Sequence, residues 1–240
     1  KDETDDIAKK IQELNKDGIS YKDIAILYRA NYLSRQMENS CLAFGIPYKL
    51  IGSLKFLQRQ EVRDLLAYLN VIVNRDDEFS LRRIINVPKR GIGASSMEKI
   101  DNYATQYGIS LFDALKNIEA VGVSKKITTN VHLLTNLIEK YSETDKYSID
   151  ELIIGIYKDS GYENMLKESN DAYAESRIEN ISELVSSAKQ FSSMNDSLID
   201  FISEMSLTSD ADDENEEDSV VLSTVHAAKG LEYKVVFIMG

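Results

Sequence analysis

A run of polar residues separates two apolar segments in 223-STVHAAKGLEYKVVF-237. Ligands of open α/β sheets bind beyond the carboxyl ends of the strands, so Thr224, His226, Lys229 and Glu232 stand where a binding site is expected. Gly230 permits a positive φ or close approach of a ligand to the backbone. The run lacks the G-x-x-x-x-G-K-[ST] pattern of a phosphate-binding loop. A structural alternative, in which His226 caps the strand end and Glu232 is a solvated helix residue, stays open.

A second polar cluster, Tyr28–Arg35, joins the end of one apolar run to the start of a helical pattern. Helix N-termini present unpaired N–H groups and the positive end of a dipole. With Arg29, Asn31 and Ser34 nearby, this helix start suits a phosphate or another anion. Simple capping of the helix by the N-x-x-S pattern is the alternative.

The third candidate is the glycine-containing stretch 86-NVPKRGIGASSMEKI-100. Its central residues are Lys89, Arg90, Gly91, Ile92 and Gly93. A hairpin of this kind between two helices presents backbone N–H groups to a passing phosphate backbone, and nearby cations add affinity that is independent of sequence. A plain tight turn between helices would need the same glycines, so both interpretations stand.

The remaining candidate residues favour structural roles. His132 falls inside a predicted helix beside Leu133 and Leu134. No Cys/His cluster, nucleophile elbow or supported pair of carboxylates occurs in the sequence, so a metal site is not expected. Cys41 is the sole cysteine, which excludes an internal disulfide and fits a reducing cytoplasm, and we predict that it fills core space.

The elements that position these residues follow from the spacing of apolar side chains. Helix, strand, helix and strand succeed one another in the first fifty or so residues, which is the pattern of an α/β layer on a parallel sheet. The helices are predicted at 4–18, with Thr4 as N-cap, and at 33–45. The strands are predicted at 24–28, 47–51, 220–224 and 235–239.

Helical periodicity dominates the residues between these two groups of strands. Helices are predicted at 62–73, 95–107, 111–115, 126–141, 149–158, 176–190 and 198–205. Ser95 and Glu98 have the S-x-x-E spacing of a capping box at the start of the second of these helices. The economical interpretation is one α/β domain, residues 1–52 and 219–240, interrupted by an all-helical insertion over 53–218. Two consecutive domains are the alternative.

The distribution of charge modifies what the net charge implies. A net charge of −12 argues against a polyanionic partner unless local charge overrides it. From Lys49 to Lys99, ten basic side chains stand against six acidic ones, a local net charge of +4. Between Asp210 and Asp218, seven of nine residues are acidic, which is typical of a solvated linker, with an acidic docking site as the alternative.

The termini and hydropathy bear on cellular context. No stretch approaches the roughly 20 apolar residues of a membrane span, and the first ten residues are unlike a secretory signal peptide. The chain starts at a lysine and stops at Gly240 directly after a strand pattern. We therefore expect a piece of a longer cytoplasmic protein with no membrane partner.

Four segments together resemble the C-terminal half of superfamily 1 DNA helicases of the PcrA/UvrD/Rep type, nearest the PcrA branch. They occur in the family's order and span nearly the whole chain. They are AILYRANYLSRQMENSCLAFGIPYKLIGSLKFLQRQEVRDLLAYLNVI, NVPKRGIG, SRIENISELV and VVLSTVHAAKGLEYKVVFIMG. The resemblance implies a second RecA-like domain interrupted by a helical domain that grips duplex DNA, in an ATP-dependent 3′ to 5′ DNA helicase of repair or replication.

The resemblance also implies roles for individual residues. The stretch around residue 230 is similar to helicase motif V, which contacts DNA at one end and nucleotide at the other. Glu232, with Gly230, matches the nucleotide side, where the carboxylate bonds the ribose of ATP. The residues that match DNA contacts of the family are Arg29, Asn31, Arg63, Arg90, Gly91, Ile92, Gly93, Thr224 and His226.

Several parts of such a helicase are absent from the 240 residues. The resemblance leads us to expect a Walker A lysine, a Walker B Asp-Glu pair, an upstream motif IV arginine and motif VI, and none is found. Phosphoryl transfer needs a phosphate cradle, a metal and an arginine. The chain alone is therefore expected to be inactive, while the parent uses ATP and Mg²⁺.

The expected partners are single-stranded DNA, duplex junctions, the N-terminal RecA-like domain of the same protein, and repair or replication proteins. Two alternatives remain. One is a non-catalytic DNA-binding or protein-docking module that uses the hairpin and the helical surface. The other is a helicase-nuclease subunit of the recombination type, which shares motif V.

Overall fold

The computed structural model describes residues 2–29, 33–51, 55–169, 173–193, 197–210 and 218–239. The chain divides into two compact units. We call Lys1–Arg59 with Met205–Gly240 the sheet unit, and Gln60–Glu204 the helical unit. The borders between units thus fall at 59/60 and 204/205, whereas the sequence predicted domain boundaries at 52/53 and 218/219.

Four parallel strands form the sheet, in the order β2-β3-β1-β4. They are β1 (Ile24–Tyr28), β2 (Tyr48–Ile51), β3 (Val220–Thr224) and β4 (Val235–Met239). Ile26 of β1 is in register with Leu222 on one side and Phe237 on the other. Since strands from both ends of the chain share this sheet, the predicted α/β class with a parallel sheet is confirmed.

Two amphipathic helices, α1 (Asp2–Lys16) and α2 (Ser34–Ala43), supply the apolar residues that pack against the sheet. The core includes Ala8, Ile11, Ile24, Ile26, Met37, Cys41, Val220 and Leu222. Burial raises the pKa of the Cys41 thiol to about 12, so this cysteine is an inert core residue, as predicted. The predicted N-cap Thr4 is wrong, because α1 begins at Asp2 and the buried Thr4 hydroxyl accepts a hydrogen bond from Ser40 Oγ at 2.9 Å.

A buried polar cluster holds the segment that leaves β2 against α2. Ser34 Oγ donates to Glu38 Oε1 at 2.6 Å, and the Phe56 N–H donates to Glu38 Oε2 at 3.2 Å. Arg59 Nη2 donates to Ser34 Oγ at 2.7 Å and lies 3.7 Å from Glu38 Oε1. Because a buried carboxylate needs such partners, this cluster fixes where the chain leaves the sheet unit.

The helical unit contains short and long helices joined by tight turns. They are α3 (Gln60–Val73), α4 (Glu78–Ile84), α5 (Ala94–Tyr107), α6 (Leu111–Lys116), α7 (Lys125–Tyr141), α8 (Ile149–Asp159), α9 (Tyr162–Lys167) and α10 (Ala174–Ser192), and α11 (Leu198–Asp210) runs across the border between the units. The sequence missed α4 and α9. Both are short, with seven and six residues, although the six-residue α6 was predicted at 111–115.

Helix α3 forms the centre of the helical unit, packing against α4, α7, α8 and α10. Its two acidic side chains, Glu61 and Asp64, are buried and paired. Asp64 accepts a hydrogen bond from Tyr162 Oη at 2.8 Å and lies 2.8 Å from Arg83 Nε, while Glu61 accepts from Asn180 Nδ2 at 2.6 Å. Desolvation by burial raises the Asp64 pKa, and the bond from Tyr162 and the charge of Arg83 offset part of that rise. Arg83 thereby holds α4 against α3.

Candidate nucleic-acid and nucleotide sites

The first candidate site lies at the carboxyl edge of the parallel sheet. Tyr28 at the end of β1 is in register with Thr224 at the end of β3. Arg29 and Val225 therefore leave the sheet side by side, and the Val225 N–H donates to the Tyr28 carbonyl at 3.0 Å. This edge is where open α/β sheets bind ligands, and Arg29 is exposed there.

We call residues 225–234, between β3 and β4, the edge loop. Its first half is held by Thr224, whose Oγ1 accepts from the Ala227 N–H at 3.2 Å and whose carbonyl accepts from the Ala228 N–H at 3.0 Å. The Leu231 N–H donates to the Ala228 carbonyl at 3.0 Å. The first part of the loop is therefore a series of turns. Glu232 follows these turns and is not in a helix, unlike in the structural alternative, where it was a solvated helix residue.

The candidate side chains at this loop are accessible to a ligand. His226 and Glu232 are both exposed, and Thr224, although used as an acceptor, keeps a hydroxyl hydrogen to donate. Gly230 has φ +90°, and no atom beyond its two chain neighbours lies within 4 Å of where a Cβ would stand. The loop thus offers a hydroxyl, an imidazole, an approachable backbone and a carboxylate within one short segment.

The return of the edge loop into β4 is also fixed. The Lys234 N–H donates to the Asp23 carbonyl at 2.9 Å, and Lys234 Nζ lies 2.7 Å from Asp23 Oδ2. Both ends of the loop are consequently tied to the residues that precede or end β1.

At the start of α2, after β1, one residue predicted to lie near an anion is not accessible. Ser34, expected near an anion, is fully buried and bonded to Glu38 and Arg59, so its hydroxyl is not available to a ligand. Asn31, predicted to contact DNA, lies outside the described residues. Arg29 is the predicted contact from this stretch that the structure places at the exposed sheet edge.

The second candidate site is the hairpin, residues 86–93, between α4 and α5. Gly91 has φ +75°, a left-handed conformation that favours glycine. Ile92 is buried at 3% exposure, whereas Gly91 and Gly93 are exposed. Apart from chain neighbours, no atom lies within 4 Å of the point where a Cβ of either glycine would stand. The apolar residue thus anchors the hairpin, and the two glycines leave its backbone open.

Arg90 does not face solvent as a phosphate contact should, which corrects the role predicted for its side chain. It is 9% exposed. Its Nη1 donates to the Ile84 carbonyl at 2.8 Å, and its Nη2 donates to Tyr68 Oη at 2.6 Å. A guanidinium has five N–H donors in a rigid, planar arrangement. Here these donors connect the end of α4 to α3 by hydrogen bonds. Lys89, beside it, is exposed.

Two asparagines support the hairpin, and the sequence interpretation assigned neither. Asn86 Oδ1 accepts from the Arg90 N–H at 2.7 Å and from the Ile92 N–H at 3.3 Å. Asn130 of α7 donates through Nδ2 to the Arg90 carbonyl at 2.8 Å. The sequence held one signal for the role of Asn86, its place just before a turn that contains proline and glycine. Asparagine side chains commonly form hydrogen bonds with the backbone of turns.

Helix α5 begins without a side-chain cap, so the predicted capping box is wrong. Its N-cap is Gly93, and Ser95 and Glu98 lie inside the helix. The carbonyl of Gly93 accepts from Ser96 and Met97, but the N–H groups of Ala94 and Ser95 come too early for intrahelical partners. These exposed donors, at the positive end of the dipole, suit an anion.

The basic stretch from Lys49 to Lys99 forms less of a cationic face than its count suggests. Arg82 pairs with Glu78 and Asp101, while Arg83 pairs with Asp64. Arg59 and Arg90 are buried. Arg63, predicted to contact DNA, is exposed on α3. Arg59, Arg82, Arg83 and Arg90 are therefore buried or paired, and they do not form a row of free cations on the surface.

His132, for which a structural role was predicted, contacts a glutamate. It lies in α7, and its Nε2 is 2.7 Å from Glu119 Oε1. This contact lowers the Glu119 pKa. Within the described ranges, no group of three His, Cys, Asp or Glu side chains could hold a metal ion, and no helix is long and apolar enough to cross a membrane.

Comparison with known proteins identifies the family of the chain. The family described as the UvrD-like helicase C-terminal domain matches residues 1–240. The chain belongs to this family. The expected family is thereby confirmed.

Individual relatives of this UvrD-like C-terminal domain agree. The chain is 42% identical over 245 residues to a protein named ATP-dependent DNA helicase PcrA from Staphylococcus aureus strain Mu50, covering 100% of the chain and 34% of that protein. A protein of the same name from Staphylococcus epidermidis strain RP62A is 42% identical over 248 residues, again covering 100% of the chain and 34% of that protein. The UvrD-like chain thus spans about a third of these relatives.

Proposed function

We propose that this UvrD-like chain works within an ATP-dependent DNA helicase that moves 3′ to 5′ along one strand and unwinds duplex DNA. The observation that carries the proposal is the edge loop, which brings a histidine and a carboxylate to the exposed carboxyl edge of a parallel sheet. In this proposal residues 1–52 and 219–240 are the second RecA-like domain, and 53–218 are the inserted helical domain.

The single-stranded DNA contact of the proposal uses one side of the sheet edge. Arg29 supplies a permanent positive charge, and Thr224 and His226 supply neutral hydrogen-bond donors for phosphate or sugar oxygens. Such contacts position a strand without reading its sequence, which is what translocation requires. The exposure of Arg29 and His226 supports this assignment.

The nucleotide contact uses the other end of the edge loop. The exposed Glu232 carboxylate can accept hydrogen bonds from the ribose hydroxyls of ATP, and the open backbone at Gly230 leaves room for the nucleotide. These residues fit the ribose. Phosphoryl transfer also needs a metal ion and a phosphate cradle, and we assign these to other parts of the parent protein.

The edge loop then couples the two ligands. Its internal hydrogen bonds from Thr224 to Leu231 and its tie to Asp23 make it a connected segment between the DNA side and the nucleotide side. A change in nucleotide state at Glu232 is transmitted to His226 through these bonds.

The hairpin grips the duplex in this proposal. Exposed N–H groups at Gly91, Gly93 and the start of α5 bind phosphate oxygens, with Lys89 adding charge. Arg90 supports this surface by holding the hairpin in place rather than by contacting DNA. Ile92 acts in the same way through its burial.

The test is DNA-stimulated ATP hydrolysis by the intact parent helicase. For Glu232→Gln we expect the KM for ATP to rise about tenfold or more, the value of one hydrogen bond to a charged group, while single-strand affinity stays unchanged. For His226→Ala we expect basal hydrolysis to persist and its stimulation by DNA to fall. Leu231→Ala and Val225→Ala, at exposed neighbouring positions, are the matched controls.

Either of two results would count against the proposal. Unchanged KM and turnover in Glu232→Gln would remove the nucleotide contact. Undiminished DNA stimulation in His226→Ala would leave the chain as a DNA-binding or docking module without a coupling role.

A further inference from the structure

A cavity in the helical unit takes no part in either proposed site. Its volume is about 720 Å³. It is lined by the C-terminal end of α3, by the connection between α7 and α8 (residues 142–148), and by the first residues of α8 and α11, and every lining residue belongs to the helical unit. Cavities that bind ligands measure roughly 300–1,000 Å³, so this one can hold side chains of a short peptide. We call it the α8 cavity.

Apolar side chains line the α8 cavity both in its interior and at its mouth. Ile72, Ile149 and Leu152 are buried. Val73 and Ile199 line it too, but they are 39% and 60% exposed. Single exposed apolar residues are ordinary, whereas several around one cavity are typical of an interaction site. Covering this mouth with an apolar group would remove the two side chains from water, which is favourable.

The connection between α7 and α8 has a fixed shape, so the α8 cavity is formed without a ligand. The ring of Tyr147 packs on the ring of Tyr141, with the centroids 5.3 Å apart. The Tyr147 N–H donates to the Thr144 carbonyl at 3.1 Å, and Lys146 forms an ion pair with Glu143. A ligand that enters a preformed site loses less free energy to ordering of the protein.

The charges beside the α8 cavity are mostly negative. Asp145 lines the cavity and is exposed. Ser148, which also lines it, donates through Oγ to Asp150 Oδ1 at 2.7 Å and through its N–H to Glu151 Oε2 at 3.0 Å. Among the residues that the structure describes, none of these three carboxylates has an ion pair, whereas Lys146 of the lining is already paired. The rim therefore attracts a cationic ligand and repels a phosphate backbone.

We propose that the α8 cavity is a docking site for a short basic segment of a partner protein. The segment places an apolar side chain beside Ile199 and a lysine or arginine beside Asp145 and Glu151. Apolar burial supplies the affinity, and the carboxylates select the partner by its charge. The net charge of −12 on the chain favours the approach of a basic partner as well. The inference goes beyond the proposed function, because the edge loop and the hairpin take no part in it.

The experiment selects short random peptides displayed on phage for binding to the 240-residue chain. The enriched peptides are then synthesised with a fluorescent label, and their affinities are measured by anisotropy at several salt concentrations. One test variant, Ile199→Arg, fills the mouth of the cavity with a cation. Its matched control is Leu133→Arg, at a position of α7 that is 64% exposed.

A second pair of variants tests the charge of the rim. Asp145→Asn/Glu151→Gln removes two carboxylates but keeps their hydrogen-bond acceptors, so the start of α8 is preserved. The matched control, Glu175→Gln/Glu179→Gln, removes the same charge from exposed positions of α10. Thermal unfolding of each variant checks that the fold is retained.

We expect the enriched peptides to share a large apolar residue close to a lysine or arginine. Their affinity should fall about tenfold or more in Ile199→Arg, as for the central residue of an interface. It should fall about threefold in Asp145→Asn/Glu151→Gln, with a weaker dependence on salt, because exposed ion pairs contribute little each. Both control variants should bind the peptides as the wild type does.

Three results would overturn the proposal. The first is that no peptide is enriched, or that the enriched peptides lack basic residues. The second is equal binding by Ile199→Arg and Leu133→Arg, which would place the peptides elsewhere on the chain. The third is unchanged affinity and salt dependence when the two carboxylates are removed, which would exclude selection by charge.

The same substitution separates this inference from the proposed function. Ile199→Arg in the parent helicase should leave ATP hydrolysis and its stimulation by DNA at the wild-type level, since no residue of the edge loop is changed. Loss of that stimulation would overturn a separate docking role for the cavity. If peptide binding fails while His226→Ala and Glu232→Gln behave as expected, the docking site is excluded and the helicase function stands.

Discussion

The edge loop of the sheet unit and the hairpin of the helical unit present polar groups in opposite ways. In the edge loop the backbone bonds to itself and the side chains of His226 and Glu232 are exposed. In the hairpin the most basic side chain, Arg90, is buried, and the backbone around Gly91 and Gly93 is exposed. A site that binds its ligand through side chains is weakened by substitution of those residues. A site that binds through backbone groups is weakened by substitution of the residues that hold the backbone in place.

The largest effect expected from this contrast is on folding. Arg90→Ala removes a guanidinium that bonds two elements and leaves buried carbonyls and the Tyr68 hydroxyl without that donor, so we expect a loss of about 2–4 kcal/mol in the free energy of unfolding. Urea denaturation of the chain measures it. Lys89→Ala, next to it and exposed, should leave stability unchanged. Equal stability of the two variants would return Arg90 to the role of a surface cation.

A smaller loss of stability is expected at the centre of the helical unit. Tyr162→Phe removes the donor to the buried Asp64 carboxylate, which should cost about 1–3 kcal/mol at neutral pH. Tyr157→Phe is the control, since this neighbouring tyrosine packs on Tyr162.

The pH dependence of that loss has a definite sign. Burial raises the Asp64 pKa in the folded state, and the Tyr162 bond opposes that rise. Removing the bond therefore raises the pKa of Asp64 in the folded state further. A carboxyl group whose pKa is higher in the folded than in the unfolded state contributes stability at a pH below its unfolded pKa. That stability is lost as the pH rises through its folded pKa. The difference between Tyr162→Phe and wild type should shrink as pH falls toward the ordinary range of aspartate. A difference that grows on acidification would contradict the assignment.

The smallest expected effect is on DNA affinity, when a charged and an uncharged residue are compared at position 93. Gly93 is the N-cap of α5 with φ −92° and free space around it, so asparagine and aspartate both fit there and both cap helices well. Gly93→Asp should bind tailed duplex several-fold more weakly than Gly93→Asn, because its carboxylate competes with phosphate for the same N–H groups. Anisotropy at low salt measures this ratio. Equal affinities would show that the hairpin backbone does not contact phosphate.

The strands and long helices could be predicted because their apolar spacing is a local property. β1 was predicted with its observed bounds, and α5, α7 and α8 were predicted to within a residue or two of theirs. The short α4 and α9 were not predicted, whereas the equally short α6 was predicted at 111–115, so length alone does not explain the two misses.

The chemistry of single side chains was harder to predict, for a physical reason. Whether Arg90 or Ser34 is free depends on Tyr68, Glu38 and Arg59, which are distant in sequence and adjacent only after folding. Asn86 and Asn130 support the hairpin through bonds that composition does not reveal. Sequence therefore located the sites by motif and edge position, and folding decided which groups within them are exposed.

The most direct test of the central claim, that the edge loop couples DNA to nucleotide, is a double-mutant cycle of His226→Ala and Glu232→Gln in the parent helicase. The measured quantity is the increase in ATP hydrolysis caused by single-stranded DNA. If the loop transmits the signal, the two substitutions are not additive, and their interaction energy is about 1 kcal/mol or more. Additive effects within about 0.3 kcal/mol would mean that the two residues act independently, which would contradict the account.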